Sequence, residues 1–226
     1  MSVLALQSCT DNLVYTGADI EVVLTGNTYK AAFTESSPVS TFNSGNQILL
    51  NASGSLQIDN RILTYMDNQW KAENEFSWSD ITGKTNITAL YPVYPDLDYI
   101  QENLYKNNSL EDILYVKDEF PAGNSIHLQF KHLFSLLTLY LDRDLQTNLQ
   151  KIEITCPAVS SIIPKSAEIV PADNETHTTT IAQVSPSGNY SFIVPPVGNM
   201  VIAINMVTNG KKYTTQLETK SFTGNK

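Results

Sequence analysis

The side chains that could do chemistry are three histidines, two cysteines and a scatter of carboxylates and serines. His127 and His132 stand five positions apart. Residues so spaced point to opposite faces of a strand, and helical neighbours are three or four apart, so in neither setting do the two share a metal. A histidine packed beside aromatics is the better reading. His177 stands alone. Cys156 follows Ile152 and Ile154 in an alternating run that puts all three on one strand face, where a cysteine acts as a small buried hydrophobe. Two cysteines as distant as Cys9 and Cys156 make neither a zinc site nor a disulfide framework. A bridge between them would require an oxidising compartment and an unmodified Cys9. The Asp, Asn and Thr of 171–176 lack the alternating ligands and turn glycine of an EF-hand loop and read as a solvated turn. No Gly-x-Ser-x-Gly elbow occurs, and Gly45, Gly83, Gly123 and Gly188 are isolated turn residues rather than a phosphate cradle. Glu73 and Glu75 could cleave a glycoside only at a set spatial separation. Catalysis, cofactor and metal all lack support, so the expectation is a protein that is not an enzyme.

Two features could still carry function. Leu6-Gln7-Ser8-Cys9 looks like the end of a lipoprotein signal, in which a small residue precedes a cysteine that is diacylated while the chain is cut before it. The apolar stretch ahead of it is shorter than an export signal, and no basic start region precedes it, so an ordinary terminus with a chance cysteine stays open. Trp70, Phe76, Trp78, Tyr91, Tyr94 and Tyr99 crowd one third of the chain. Exposed, Trp70 and Trp78 could contact a ligand or partner; buried, they fill a core, which is the better reading because large aromatics carry much of core burial.

The elements that must position these residues are strands. Short runs rich in Thr, Val, Ile, Tyr and Phe recur between Asn, Gly, Asp, Ser and Pro, which is the pattern of an all-β protein. Strands are expected at Asp19–Leu24, Gln47–Asn51, Arg61–Met66, Asn86–Tyr91, Ser125–Lys131, Leu149–Thr155, Thr178–Val184 and Asn189–Val194. A hairpin is expected where Asn209-Gly210 separates the alternating Met200–Met206 and Tyr213–Leu217, because both turn residues tolerate positive φ. A helical turn is expected over Asn108–Asp112, capped by Asn108 or Ser109. Leu133–Leu141 fits both a helical stripe and an alternating strand. Asp142-Arg143-Asp144 breaks the apolar pattern and marks a domain boundary.

The chain has 226 residues, of which 42% are apolar and only 16% charged, with a formal net charge of −9. Such a composition supports a sizeable core. Its acidic balance, with Arg61 and Arg143 the only arginines, excludes a protein that tracks nucleic-acid phosphates. No apolar run reaches the roughly 20 residues that span a bilayer as a helix.

Several motifs in order resemble one family. Thr41–Ile48 is similar to the aromatic-then-Gly-Asp strand that opens fimbrillins, with Asn46 where Asp is usual. Tyr65, Trp70 and Phe76-Ser77-Trp78 resemble their Tyr…Trp…Trp region, and Ala89-Leu90-Tyr91-Pro92 their Ala-x-Tyr-Pro strand. Glu111–Tyr115 resembles their Asp-Leu-Leu element, and Leu128-Gln129-Phe130-Lys131-His132 the aliphatic-x-Phe-x-His strand, the most distinctive of the set. Val194-Pro195 and Gly210–Tyr213 match the closing hairpin.

The resemblance implies two transthyretin-like β-sandwich domains in tandem, with residues 1–18 a lipoprotein signal remnant and linker, 19–143 the N-terminal domain and 144–226 a C-terminal domain lacking its last strand. It resolves 133–141 as strand and makes Cys9 the lipidated residue, the chain's only link to a membrane. It implies a type V pilus subunit or accessory component at the cell surface, anchored in an outer membrane or built into fimbriae. Partners would be other fimbrial subunits joined by donor-strand pairing and a host or bacterial surface ligand. Family members that polymerise are cut after an arginine near the amino end; here the only basic residue before Arg61 is Lys30, the candidate processing site. The alternative is a non-polymerising surface adhesin or glycan-binding module using Trp70 or Trp78.

Overall fold

The computed structural model describes residues 4–5, 12–16, 20–25, 42–67, 69–72, 82–122, 126–141, 146, 149–182, 189–196, 200–208 and 210–219. Within these the chain is almost wholly β, as expected. In order, the strands are β1 (Leu4–Ala5), β2 (Asn12–Thr16), β3 (Ile20–Thr25), β4 (Gln47–Gly54), β5 (Ile58–Met66), β6 (Gln69–Ala72), β7 (Thr85–Tyr91), β8 (Tyr105–Lys106), β9 (Ser109–Leu110), β10 (Leu114–Phe120), β11 (Ile126–His132), β12 (Ser135–Tyr140), β13 (Leu149–Ile163), β14 (Glu168–Ile181), β15 (Asn189–Val194), β16 (Met200–Thr208) and β17 (Lys211–Thr219). A single turn of helix, α1 (Gln101–Leu104), stands between β7 and β8.

The largest sheet runs β2-β3-β11-β10-β7-β4-β5-β6. Its corner is β11. The carboxyl end of that strand pairs with β10 at Leu114↔His132 and Tyr115↔Lys131, while Ile126–Phe130 pair in parallel with Ile20–Leu24 of β3. Alternation then sends Ile48, Leu50, Ile87, Ala89, Leu114, Val116, Leu128 and Phe130 to one buried face. Phe42 anchors this core, meeting Trp70, Tyr91 and Phe130 edge-to-face at 5.1, 5.2 and 5.7 Å. Each such pair adds about 0.5–1.5 kcal/mol beyond its buried area.

Two further sheets face each other. The order β14-β13-β16-β17 presents Ile152, Ile154, Cys156, Ile202 and Ile204 to the inner face of β1-β12-β15, which supplies Leu137, Leu139, Tyr190, Phe192 and Val194. The opposite face of β12-β15 carries Leu136 and Ile193 into a third cluster with Leu49, Leu90, Tyr99, Leu104 and Ile113. Val159 and Ile162, in the second half of β13, join that cluster too, so this 15-residue strand serves both ends of the molecule. β12 precedes the expected 143/144 boundary yet is hydrogen-bonded to β15 beyond it, from Ser135↔Val194 to Tyr140↔Asn189.

Several elements differ from expectation. Residues 108–112 form no helical turn. Asn107 and Asn108 have φ of 49° and 61° and make a tight two-residue turn between β8 and β9. Asparagine tolerates the left-handed region, and that preference outweighs its capping role here. Residues 171–176 are exposed except for the half-buried Ala172, as a solvated turn would be, but they belong to the edge strand β14. β13 continues past Pro157 because register shifts flank Val159, and a bulge relieves proline of ladder donation. The 133–141 run is strand over Ser135–Tyr140. The Asn-Gly hairpin forms, with Gly210 at φ 70°.

Candidate functional site

Cys9, Lys30 and Trp78 lie outside the described residues. Trp70 sits on β6, half-buried, with its ring 5.1 Å from Phe42 and 5.2 Å from Tyr65. Its face is thus given to the first core, and its buried Nε1 finds no hydrogen-bond partner among the described residues.

Two motif elements distant in sequence meet. Asp112, just ahead of β10, is 5% exposed, and His132 closes β11; its Nδ1 lies 2.9 Å from both carboxylate oxygens. An ionised carboxylate only accepts, so Nδ1 carries the hydrogen and donates. Beside it the Leu133 N–H donates to the Ile113 carbonyl at 2.7 Å. The pair therefore locks the β10–β11 corner, so that His132 is held by a carboxylate where packing beside aromatics is the expectation. His177 also serves structure: it stacks on Tyr105 with centroids 4.0 Å apart, and its Nε2 donates to the Asn108 carbonyl at 2.9 Å. Thr179 Oγ1 donates to the same carbonyl at 3.0 Å. Among the described residues no group of three or more His, Cys, Asp or Glu could hold a metal, and no helix is long and apolar enough to cross a membrane.

The tyrosines between β7 and β8 are held neutral. Burial, reinforced by the Glu111 carboxylate that accepts its hydroxyl, pushes the Tyr94 phenol far up. Burial raises Tyr99, which donates to the Pro92 carbonyl at 2.8 Å. Tyr105 is pushed up to about 12 by burial, against the lowering effect of accepting the Val159 N–H at 3.0 Å. Burial likewise lifts the Cys156 thiol to about 11, which suits an inert core residue and not a nucleophile.

What the arrangement can offer chemically is backbone. β1 covers β12 only at Leu4↔Leu139 and Ala5↔Thr138, whereas β15 pairs with all of β12. On its β1 side the rest of β12 has no ladder partner among the described residues. β17 is a second edge, with Lys211 to Gln216 exposed and Tyr213 42% exposed. Sequence reading found most of the longer strands but not how they pair, because pairing partners are set by topology and not by local pattern.

The class this architecture defines is an all-β protein of facing sheets with incompletely covered edges. No protein-family model and no curated protein matches the chain. Among solved structures it is similar to a fimbrial protein from Bacteroides ovatus, with 14% identity over 79% of this chain and 43% of that one, at a TM-score of 0.42. The chain thus spans less than half the length of that protein.

Proposed function

We propose that the chain is a surface-exposed fimbrial subunit or accessory component, non-enzymatic, that assembles by β-strand addition. The single observation supporting this is the use made of the amino end. Residues 4–5 form a two-residue strand on β12, while β3 pairs with β11 and β2 with β3. In this reading the cut before the lipidated Cys9 removes β1 together with the signal, and a cut after Lys30 removes β2 and β3. Each step bares a row of backbone donors and acceptors, which an incoming strand from a neighbouring subunit fills. In this reading the chain is built of two tandem sandwiches of the transthyretin kind, 19–143 and 144–226. The fatty anchor on Cys9 would hold the precursor at the outer membrane before assembly.

The test is lysine-specific digestion of the purified protein under native conditions, with amino-terminal sequencing of the product and a gel of the unboiled sample. A species beginning at residue 31 that forms a ladder of high-order bands is the expected result. A product correctly cut after Lys30 that stays monomeric at high concentration overturns the assembly reading and leaves a non-polymerising adhesin.

A further inference from the structure

The sheet β14-β13-β16-β17 is antiparallel throughout and, among the described residues, ends in two open edges that are built differently. β14 is guarded. Pro171 lacks an N–H, register shifts flank its pairing with Val159, and Asn174 turns to φ 58°, so the outer row of backbone groups is broken. Asp173 and Glu175 add like charges there. β17 is regular. Its 9 residues, Lys211 to Thr219, pair with β16 without a shift, and none is proline or glycine. Lys211 to Gln216 are exposed. The tight turn fixes which backbone groups are free. Thr208 and Lys211 close the hairpin as a hydrogen-bonded pair, so alternate residues from Lys211 onward turn their N–H and C=O to β16. Lys212, Thr214, Gln216 and Glu218 therefore point theirs outward, where no strand of the described residues meets them.

We propose that β17 pairs with β17 of a second copy of this chain, antiparallel, across a two-fold axis through Thr215. The strand is self-complementary in that register. Lys212 stands opposite Glu218, Thr214 opposite Gln216 and Tyr213 opposite Leu217, while the two Thr215 residues face each other on the axis. The outward-pointing residues fall opposite one another, so Lys212 exchanges both backbone hydrogen bonds with Glu218, and Thr214 with Gln216. Opposite charges and an aromatic–aliphatic pair across a ladder both favour it. A lysine on an edge strand ordinarily deters pairing. Here Lys212 meets a carboxylate, once on each side of the axis. Slipping by two residues loses that match, because it sets Lys212 against Gln216 or Glu218 against Thr214. Pairing β17 with the β14 edge of another copy would repeat without closing, and it would have to follow the breaks at Pro171 and Asn174. The two-fold arrangement closes on itself and joins two four-stranded sheets into one. It uses neither the amino-terminal strands nor the β12 edge, so it stands whether or not subunits polymerise by strand addition.

One strand pair is small beside a standard interface, so sedimentation of the full chain should be followed from about 10 μM to about 1 mM. The expected result is a monomer–dimer equilibrium with no larger species. Lys212→Glu and Glu218→Lys should each weaken the dimer about tenfold, since each turns two attractive contacts into two repulsive ones. Combining the two should restore it. A second measurement reads the register. In a Cys9→Ser background, Thr215→Cys should give a disulfide-linked dimer on mild oxidation, because opposed residues of a non-hydrogen-bonded pair stand about 4.5 Å apart at Cα. Lys212→Cys, about 20 Å from its mate across the axis, should not. A chain still monomeric at the highest concentration, species larger than a dimer, or single charge variants that dimerise like the parent overturns the proposal. So does a double variant that fails to recover, cross-linking at 212 as readily as at 215, or slow exchange of the Thr214 and Gln216 amides in the dilute monomer.

Discussion

Replacing His132 by alanine strips the imidazole from a carboxylate that is 5% exposed and was held at 2.9 Å through both oxygens. A hydrogen bond to a buried charged group contributes about 1.5–3 kcal/mol, and the carboxylate keeps its desolvation penalty when this donor is removed. At about 2–4 °C per kcal/mol for a chain of this size, Tm should fall by roughly 3–12 °C. Asp112→Asn keeps an acceptor for the Nδ1–H and should cost nearer 1 kcal/mol, the usual net worth of one hydrogen bond. The double variant Asp112→Ala/His132→Ala should be less damaging than the sum of its single changes, by up to about 3 kcal/mol, since neither group is then left behind. Guanidinium unfolding followed by circular dichroism, with the slope checked for constancy across the variants, reads all of these. Were His132→Ala to lose less than 1 kcal/mol and add simply to Asp112→Ala, the pair would not lock the β10–β11 corner, and the reasoning from burial would be wrong.

Three more outcomes are expected. Gly54→Ala should destabilise by several kcal/mol, because φ is 124° there and a Cβ would stand 2.5 Å from the Lys84 carbonyl; Gly210→Ala, at φ 70° in open space, should cost only about 1–2 kcal/mol of backbone strain, and thermal melts compare the two. Tyr105→Phe removes the acceptor of the Val159 N–H, a residue 1% exposed, and should cost about 1–3 kcal/mol in denaturant unfolding. Stability should decline at alkaline pH: Cys156 rises from 9.0 to about 11 and Tyr105 from 10.0 to about 12 on folding, so the native state binds these protons more tightly. Their contribution is full below pH 9 and drains away from pH 9 through 12, which melts at stepped pH would reveal and Cys156→Ala would blunt at its lower end.

Strands whose faces alternate cleanly were legible: β4, β7, β15 and the β16–β17 hairpin each announce themselves by periodicity and turn residues. β10 was not, because Lys117-Asp118-Glu119 fills a stretch that is exposed at the sheet's polar end and breaks the apolar rhythm. β6, β8 and β9 are too short to show a period at all. β13 and β14 were read as ending near Pro157 and starting near Thr178, since proline and the Asp173-Asn174 pair are ordinarily stop signals. Bulges, and a positive φ at Asn174, let the strands run through. Of the candidate site residues, Trp70 could be followed from pattern to core. The meeting of Asp112 with His132, and with it the locked β10–β11 corner, could not be foreseen. They depend on which strands become neighbours, and nothing local encodes that.

The long β13–β14 hairpin has a mechanical meaning. Fifteen extended residues reach about 50 Å, so β13 acts as a splint whose first half is embedded in one core and whose second half is embedded in another. A pull along that axis would strain its flanking ladders in shear, many bonds at once, rather than unzipping them one by one.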